Sequence, residues 1–172
     1  MTANCKVTMM RYPTAARIGV AIAVSSIFIG FALAQDAKPG EEVHVVKSPS
    51  DVKWGDGPPT LPKGVKAAVL HGDPGKPAPF TLLLKMPAGY KVPAHWHSQD
   101  ENVLVVSGTL NVGMGDKLDA AKATALKPGA YVFMPAKMHH YAFAKTPTVI
   151  EVHGSGPFDV TYVDPADDPQ KK

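Results

Sequence analysis

The sequence predicts an all-β domain, a sandwich or barrel, behind a removable N-terminal leader. Three observations carry this expectation. After residue 34 the chain alternates short apolar runs with turn formers, and 16 of the 17 Pro and 13 of the 15 Gly lie there. That part of the chain has no long amphipathic helix, which excludes βαβ architectures. At 172 residues, 45% hydrophobic and 19% charged, the chain is globular and has room for one domain.

The leader comes first. Residues 1–17 are polar, with Lys6, Arg11 and Arg17 and no acid. Residues 18–33, IGVAIAVSSIFIGFAL, carry no charge, and Ala32-Leu33-Ala34 places small residues ahead of Gln35. A basic start, an apolar middle and an Ala-x-Ala end describe a secretory signal peptide over 1–34. The competing reading is an uncleaved anchor, but 16 apolar residues fall short of the roughly 20 that span hydrocarbon. A start at Met9 or Met10 would give a more usual leader length. Cys5 is the only Cys and leaves with the leader, so Gln35–Lys172 has 138 residues and no Cys. That suits a periplasmic or secreted location, and it excludes thiolate-rich metal sites and disulfide frameworks.

Charge then narrows the partners. The net charge of +3 belongs to the leader, because the rest has 15 Lys balanced by 15 Asp plus Glu. Nucleic-acid binding loses its electrostatic basis. After cleavage nothing favours a stable membrane association.

The mature chain divides into a lead-in over 35–64, a barrel over 65–163 and a polar tail over 164–172. The lead-in holds a candidate strand, Val43–Lys47, and a turn-rich Trp54–Pro59 stretch that covers one barrel end. The barrel strands expected are Ala67–His71, Phe80–Met86, Val92–His97, Asn102–Ser107, Thr109–Gly113, Tyr131–Met134, His139–Ala144, Thr148–His153 and Asp159–Val163. In the second of these, Phe80, Leu82, Leu84 and Met86 share one face. Ser107-Gly108 reads as a hairpin turn. Lys127-Pro128-Gly129-Ala130, with Pro then Gly at its centre, reads as a type II turn. Asp116–Ala123, short and Ala-rich, is the one helix-like patch. Residues 35–42 and the polar tail read as loosely held.

One stretch carries chemistry: Gly89-YKVPA-His95-Trp96-His97-SQD-Glu101-NVLVVS-Gly108. On an extended strand His95 and His97 point the same way, roughly 6.6 Å apart along the backbone. Two imidazoles so spaced can converge on one ion through bonds of about 2.1 Å. After the turn Ser98-Gln99-Asp100, Glu101 opens the next strand and can return a carboxylate to the same point. Neutral nitrogens with one hard anionic oxygen suit a divalent first-row metal.

These residues match the pattern G-x5-H-x-H-x3-E-x6-G at every specified position, the first motif of the cupin superfamily, which the chain resembles. A second cupin motif, G-x5-P-x-G-x2-H-x3-N, is similar to Gly129-AYVFM-Pro135-Ala136-Lys137-MH-His140. There Lys137 stands where the motif has Gly, and Ala144 stands where it has Asn. The resemblance implies a double-stranded β-helix, a small jelly-roll barrel, with a metal inside its mouth. The ligands implied are His95, His97, Glu101 and His140. His139 is the rival for the fourth place; adjacent strand residues face opposite sides, so only one of the pair can serve, and the motif offset selects His140.

Gln99, Asp100 and Glu151 are candidate acceptors for the ligands' other ring nitrogens. Tyr90, Trp96, Tyr131, Phe133, Tyr141 and Phe143 either wall an apolar pocket or fill core and interface positions. The loop His153–Phe158 borders the mouth. His44, His71 and His153 lack motif partners and read as surface or structural. The absence of Arg after the leader weighs against a dicarboxylate substrate.

The reading is therefore an exported metal-dependent cupin, an oxidoreductase of dioxygenase type acting on a small molecule, with Glu101 also the candidate catalytic base. The alternatives are a non-catalytic binding or sensing module, and a metal-dependent isomerase or lyase. Fe or Mn is favoured as cofactor, with Zn, Ni, Cu and Co compatible. A homodimer is the expected oligomer.

Overall fold

Strands in this chain alternate between two facing sheets, and that alternation builds the barrel. The computed structural model describes residues 44–172. The leader over 1–34, Cys5 and the start of the lead-in lie outside the described residues. The strands are β1 (Gly55–Asp56), β2 (Lys66–His71), β3 (Pro79–Met86), β4 (Lys91–Trp96), β5 (Glu101–Ser107), β6 (Leu110–Met114), β7 (Thr124–Leu126), β8 (Tyr131–Met134), β9 (His140–Ala144), β10 (Thr148–Ser155) and β11 (Thr161–Tyr162). One sheet runs β1-β2-β3-β10-β5-β8 and the other β11-β4-β9-β6-β7, with antiparallel neighbours throughout. From β3 to β11 the chain crosses repeatedly from one sheet to the other. This is the double-stranded β-helix that the resemblance implies, within the sandwich or barrel that the strand rhythm predicts.

The period-2 pattern places the core. Phe80, Leu82 and Met86 of β3 join Val103 and Val105 of β5, Val152 of β10, and Leu110 and Val112 of β6 in one buried cluster between the sheets. On β9 the alternation sends Tyr141 to the outer side, yet it is fully buried. The segment after β6 covers it, and the Tyr141 hydroxyl donates to the Asp119 carbonyl at 2.8 Å.

Four local expectations need correction. Residues 44–47 join no ladder, and β1 and β7 pair where no strand was expected. Asp116–Ala123 is a turn, not a helix: eight residues are too few for an isolated helix to persist. Asp119 turns the chain instead, accepting from Ala121 N through Oδ1 at 3.0 Å and from Lys122 N through its carbonyl at 3.2 Å. Ser107-Gly108 joins strands of different sheets and is therefore a crossover, not a hairpin. Gly108 has φ +79°, and a Cβ there would strike the Pro147 carbonyl and Thr148. Last, 165–171 forms two single 3-10 turns whose N-caps, Asp164 and Asp168, accept from Ala166 N and Gln170 N. The tail is folded into local turns where an unstructured one was expected.

Lys127–Ala130 forms its turn as the Pro-Gly pair requires, with Ala130 N donating to Lys127 O at 2.9 Å and Gly129 at φ +84°.

Candidate metal centre

Three histidines and one glutamate meet where the sheets face each other. His95 lies on β4 opposite His140, the first residue of β9, in direct register. His97 follows the end of β4, and Glu101 begins β5 in the other sheet. All four are buried, none more than 8% exposed. The ligand nitrogens of His95, His97 and His140 lie within 4.8 Å of one another. Glu101 Oε2 stands 3.3 Å from Nε2 of His97 and 3.3 Å from Nε2 of His140. Ligand atoms at neighbouring positions around one ion, bound at about 2.1 Å, are separated by about 3.0–3.4 Å.

Each ring is held from behind by a backbone carbonyl. Nδ1 of His95 donates to Pro93 O at 2.7 Å, Nδ1 of His97 to Asp159 O at 2.5 Å, and Nδ1 of His140 to Met138 O at 2.9 Å. A carbonyl only accepts, so it fixes the proton on Nδ1 and leaves the Nε2 lone pair of each neutral ring inside the cluster. The three acceptors anticipated from sequence serve elsewhere. Asp100 Oδ1 accepts from Ala136 N, Glu151 pairs with His153, and Gln99 bonds none of the three rings. Main-chain carbonyls carry no residue signature, so only the folded chain reveals them.

Charges and burial shape the cluster further. Burial lowers the His95 pKa to about 3, helped by the neighbouring His140 and His97. For His97 burial pulls downward, but Glu101 outweighs it and the pKa rises. Burial would raise the Glu101 pKa, but His140 and His97 overcome it and hold the carboxylate ionised.

These residues fit a metal ion. His97 Nε2 is buried without a hydrogen-bond partner, because the 3.3 Å approach of Glu101 is misaligned for one. An inward lone pair with no donor facing it calls for a cation. His139 is excluded: it faces outward, 40% exposed, with Nδ1 2.6 Å from Asp116 Oδ1.

The turn before His140 accommodates the departure from the second motif. Lys137 adopts φ +65°, the conformation that Gly takes freely. Its N–H donates to His97 O at 2.8 Å, which ties this turn to the site. Ala144, where the motif has Asn, is 1% exposed and uses only its backbone, donating to Tyr90 O and accepting from Gly89 N.

The cluster opens into a cavity of about 260 Å³ between the sheets. Its walls are almost wholly aliphatic, with Leu82, Leu84, Met86, Val103, Val112 and Ile150 prominent. The lead-in contributes Pro58, Thr60 and Leu61, and the loop after β10 contributes Phe158 and Val160. Of the aromatics singled out from sequence only Tyr90 lines the cavity; Tyr131 and Phe133 are 53% and 48% exposed. Phe158, at the end of the loop expected to border the mouth, lies face to face with His97.

Comparison with known proteins agrees with this geometry. A family model described as the ChrR cupin-like domain matches residues 42–159. An acetylacetone dioxygenase from Acinetobacter johnsonii is 18% identical, with a TM-score of 0.55 over 74% of this chain and 82% of its own. A polyketide cyclase from Streptomyces resistomycificus is 19% identical, with a TM-score of 0.54 over 76% and 90%. An RmlC-like cupin from Shewanella frigidimarina is 17% identical, with a TM-score of 0.50 over 63% and 87%. At these identities the likeness is one of fold. No curated protein sequence matches the chain.

Proposed function

Because this chain belongs to the ChrR cupin-like domain family, we propose that it is an exported, metal-dependent oxidoreductase of dioxygenase type acting on a small organic substrate. One observation supports this most: three Nε2 lone pairs and one carboxylate gather at the wall of an apolar cavity large enough for a substrate. A bound iron or manganese ion supplies Lewis acidity and a redox couple there.

The chain's own residues do the rest. His95, His97 and His140 are the proposed neutral donors, each oriented by its carbonyl. Glu101 brings the negative charge and is the only carboxylate among the described cavity residues. It can accept a substrate proton at Oε2. Its lowered pKa makes it a weak base, so that role suits an acidic C–H or O–H group. The aliphatic walls exclude water from the reacting groups.

Cleavage of 1–34 and a periplasmic or secreted destination complete the proposal. So does a homodimer, since the edge strand β8 leaves Tyr131 and Phe133 half exposed. The test is oxygen uptake on acetylacetone, a compound named for one structural neighbour, by the iron-loaded, manganese-loaded and metal-free protein. Uptake confined to a metal-loaded form is the expected result. Stoichiometric metal without uptake would replace the oxidoreductase reading with that of a binding or sensing module or of a metal-dependent isomerase or lyase.

A further inference from the structure

Beyond the metal-binding residues, the cavity wall has one chemical character. Its described residues include no Lys, Arg or Asp, and no carboxylate apart from Glu101. Two lining residues carry hydroxyls: Tyr90, which gives its proton to Pro62 O at 2.6 Å, and Thr60 at the lead-in. Away from the metal end, Leu82, Leu84, Met86, Val112 and Ile150 offer a ligand only apolar surface: aliphatic carbon and one thioether.

From this we infer that the ligand is a compact, hydrocarbon-rich molecule with a single oxygen-bearing end, and that it carries no charge away from that end. A charged group placed against these walls would lose its hydration and find no counter-charge. Sugars are excluded for the same reason, because several hydroxyls would be buried with nothing to bond. The oxygen-bearing end lies at the four polar side chains of the metal centre, where polar groups converge, whereas elsewhere Thr60 is the one described lining hydroxyl not already donating. The inference deepens the proposed function, and it rests on the metal reading only for the anchoring of that end.

The test uses two probes of nearly equal shape that differ at the far end, 4-methylcyclohexanone and 4-oxocyclohexanecarboxylate. Binding to the full mature protein, as purified and after zinc loading, is followed by ligand-observed NMR titration. The ketone with the methyl group is expected to bind about tenfold or more tightly than the one with the carboxylate, given the cost of an unpaired buried charge. Ala67, on the cavity side of β2, gives the control. Ala67→Phe should abolish the ketone signal by filling the space, and Ala67→Val should weaken it in part if the larger change prevents folding. Equal binding of the two probes, tighter binding of the carboxylate, or no binding of either overturns the inference. Metal content of the same samples is measured separately: protein that takes up no metal on zinc loading and still prefers the ketone refutes the metal reading and leaves the inference standing.

Discussion

Phe158 stacks on His97, with ring centroids 4.4 Å apart and planes 18° from parallel. The next residue, Asp159, accepts the His97 Nδ1–H through its carbonyl, and its Oδ1 accepts from Ser98 N at 2.8 Å and Ser98 Oγ at 2.6 Å. A loop more than fifty residues downstream in sequence thus holds one imidazole by its face, its far nitrogen and its neighbour.

Phe158→Ala should therefore loosen His97 without touching a ligand atom. Outer partners of metal ligands commonly matter by about 10–100-fold in affinity, and the lower end applies because the Asp159 carbonyl remains. Metal affinity measured by competition with a chelator should fall about tenfold. Phe158→Leu, which keeps the bulk but not the plane, should recover part of it. Unchanged affinity in both variants would make the stacking incidental.

The His95, His97 and His140 trio separates sharply from His139. His97→Ala should abolish stoichiometric metal in elemental analysis, while His139→Ala, which loses only an exposed pair with Asp116, should keep it. The stability change at His139 should stay within about 0.5 kcal/mol, as exposed ion pairs contribute little. Loss of metal from both variants would contradict the assignment of His140 as the inward member of the pair.

Lys137 holds a conformation that L-residues enter at a cost of about 1 kcal/mol, while Gly enters it freely. Lys137→Gly should raise stability by about 0.5 kcal/mol, part of the relief being offset by the greater freedom of Gly in the unfolded chain. The urea midpoint should rise with an unchanged slope. A fall in the midpoint would show that the Lys side chain stabilises the turn in a way its backbone geometry does not reveal.

The contrast between Glu101 and Asp159 shows what sequence can carry. His95, His97 and Glu101 are legible because strand pitch and a three-residue turn place them, and those are local quantities. His140 needed the second motif, since its approach depends on β4 pairing with β9. Asp159 acts on His97 through a carbonyl, which any residue has, so no pattern marks it. Ser107-Gly108 misleads for a related reason: the same turn chemistry serves a hairpin and a sheet crossover. Only the pairing of β5 with β10 and of β6 with β9 distinguishes them. The Asp116–Ala123 patch fails by another route, because composition favours helix while Asp119 and the Tyr141 hydroxyl fasten a turn.

Acid titration of the metal-free protein gives the last prediction, and the signs of three groups decide it. His95 has its folded pKa lowered to about 3, against about 6.5 when unfolded, so its contribution is present above 6.5 and is lost as pH falls toward 3. Glu101, also lowered, adds to the loss below its ordinary carboxylate range. His97 is raised, so its contribution is complete below about 6.5 and disappears only as pH climbs through its higher folded value. These groups therefore place the stability maximum of the metal-free protein near pH 6.5, with a decline on each side. Urea midpoints taken from pH 3.5 to 8.5 should trace that peak. His95→Gln should flatten the limb between pH 6 and 4 and leave the alkaline limb in place. A metal-free protein that gained stability steadily on acidification to pH 4 would show that His95 accepts its proton inside the fold, contrary to its burial.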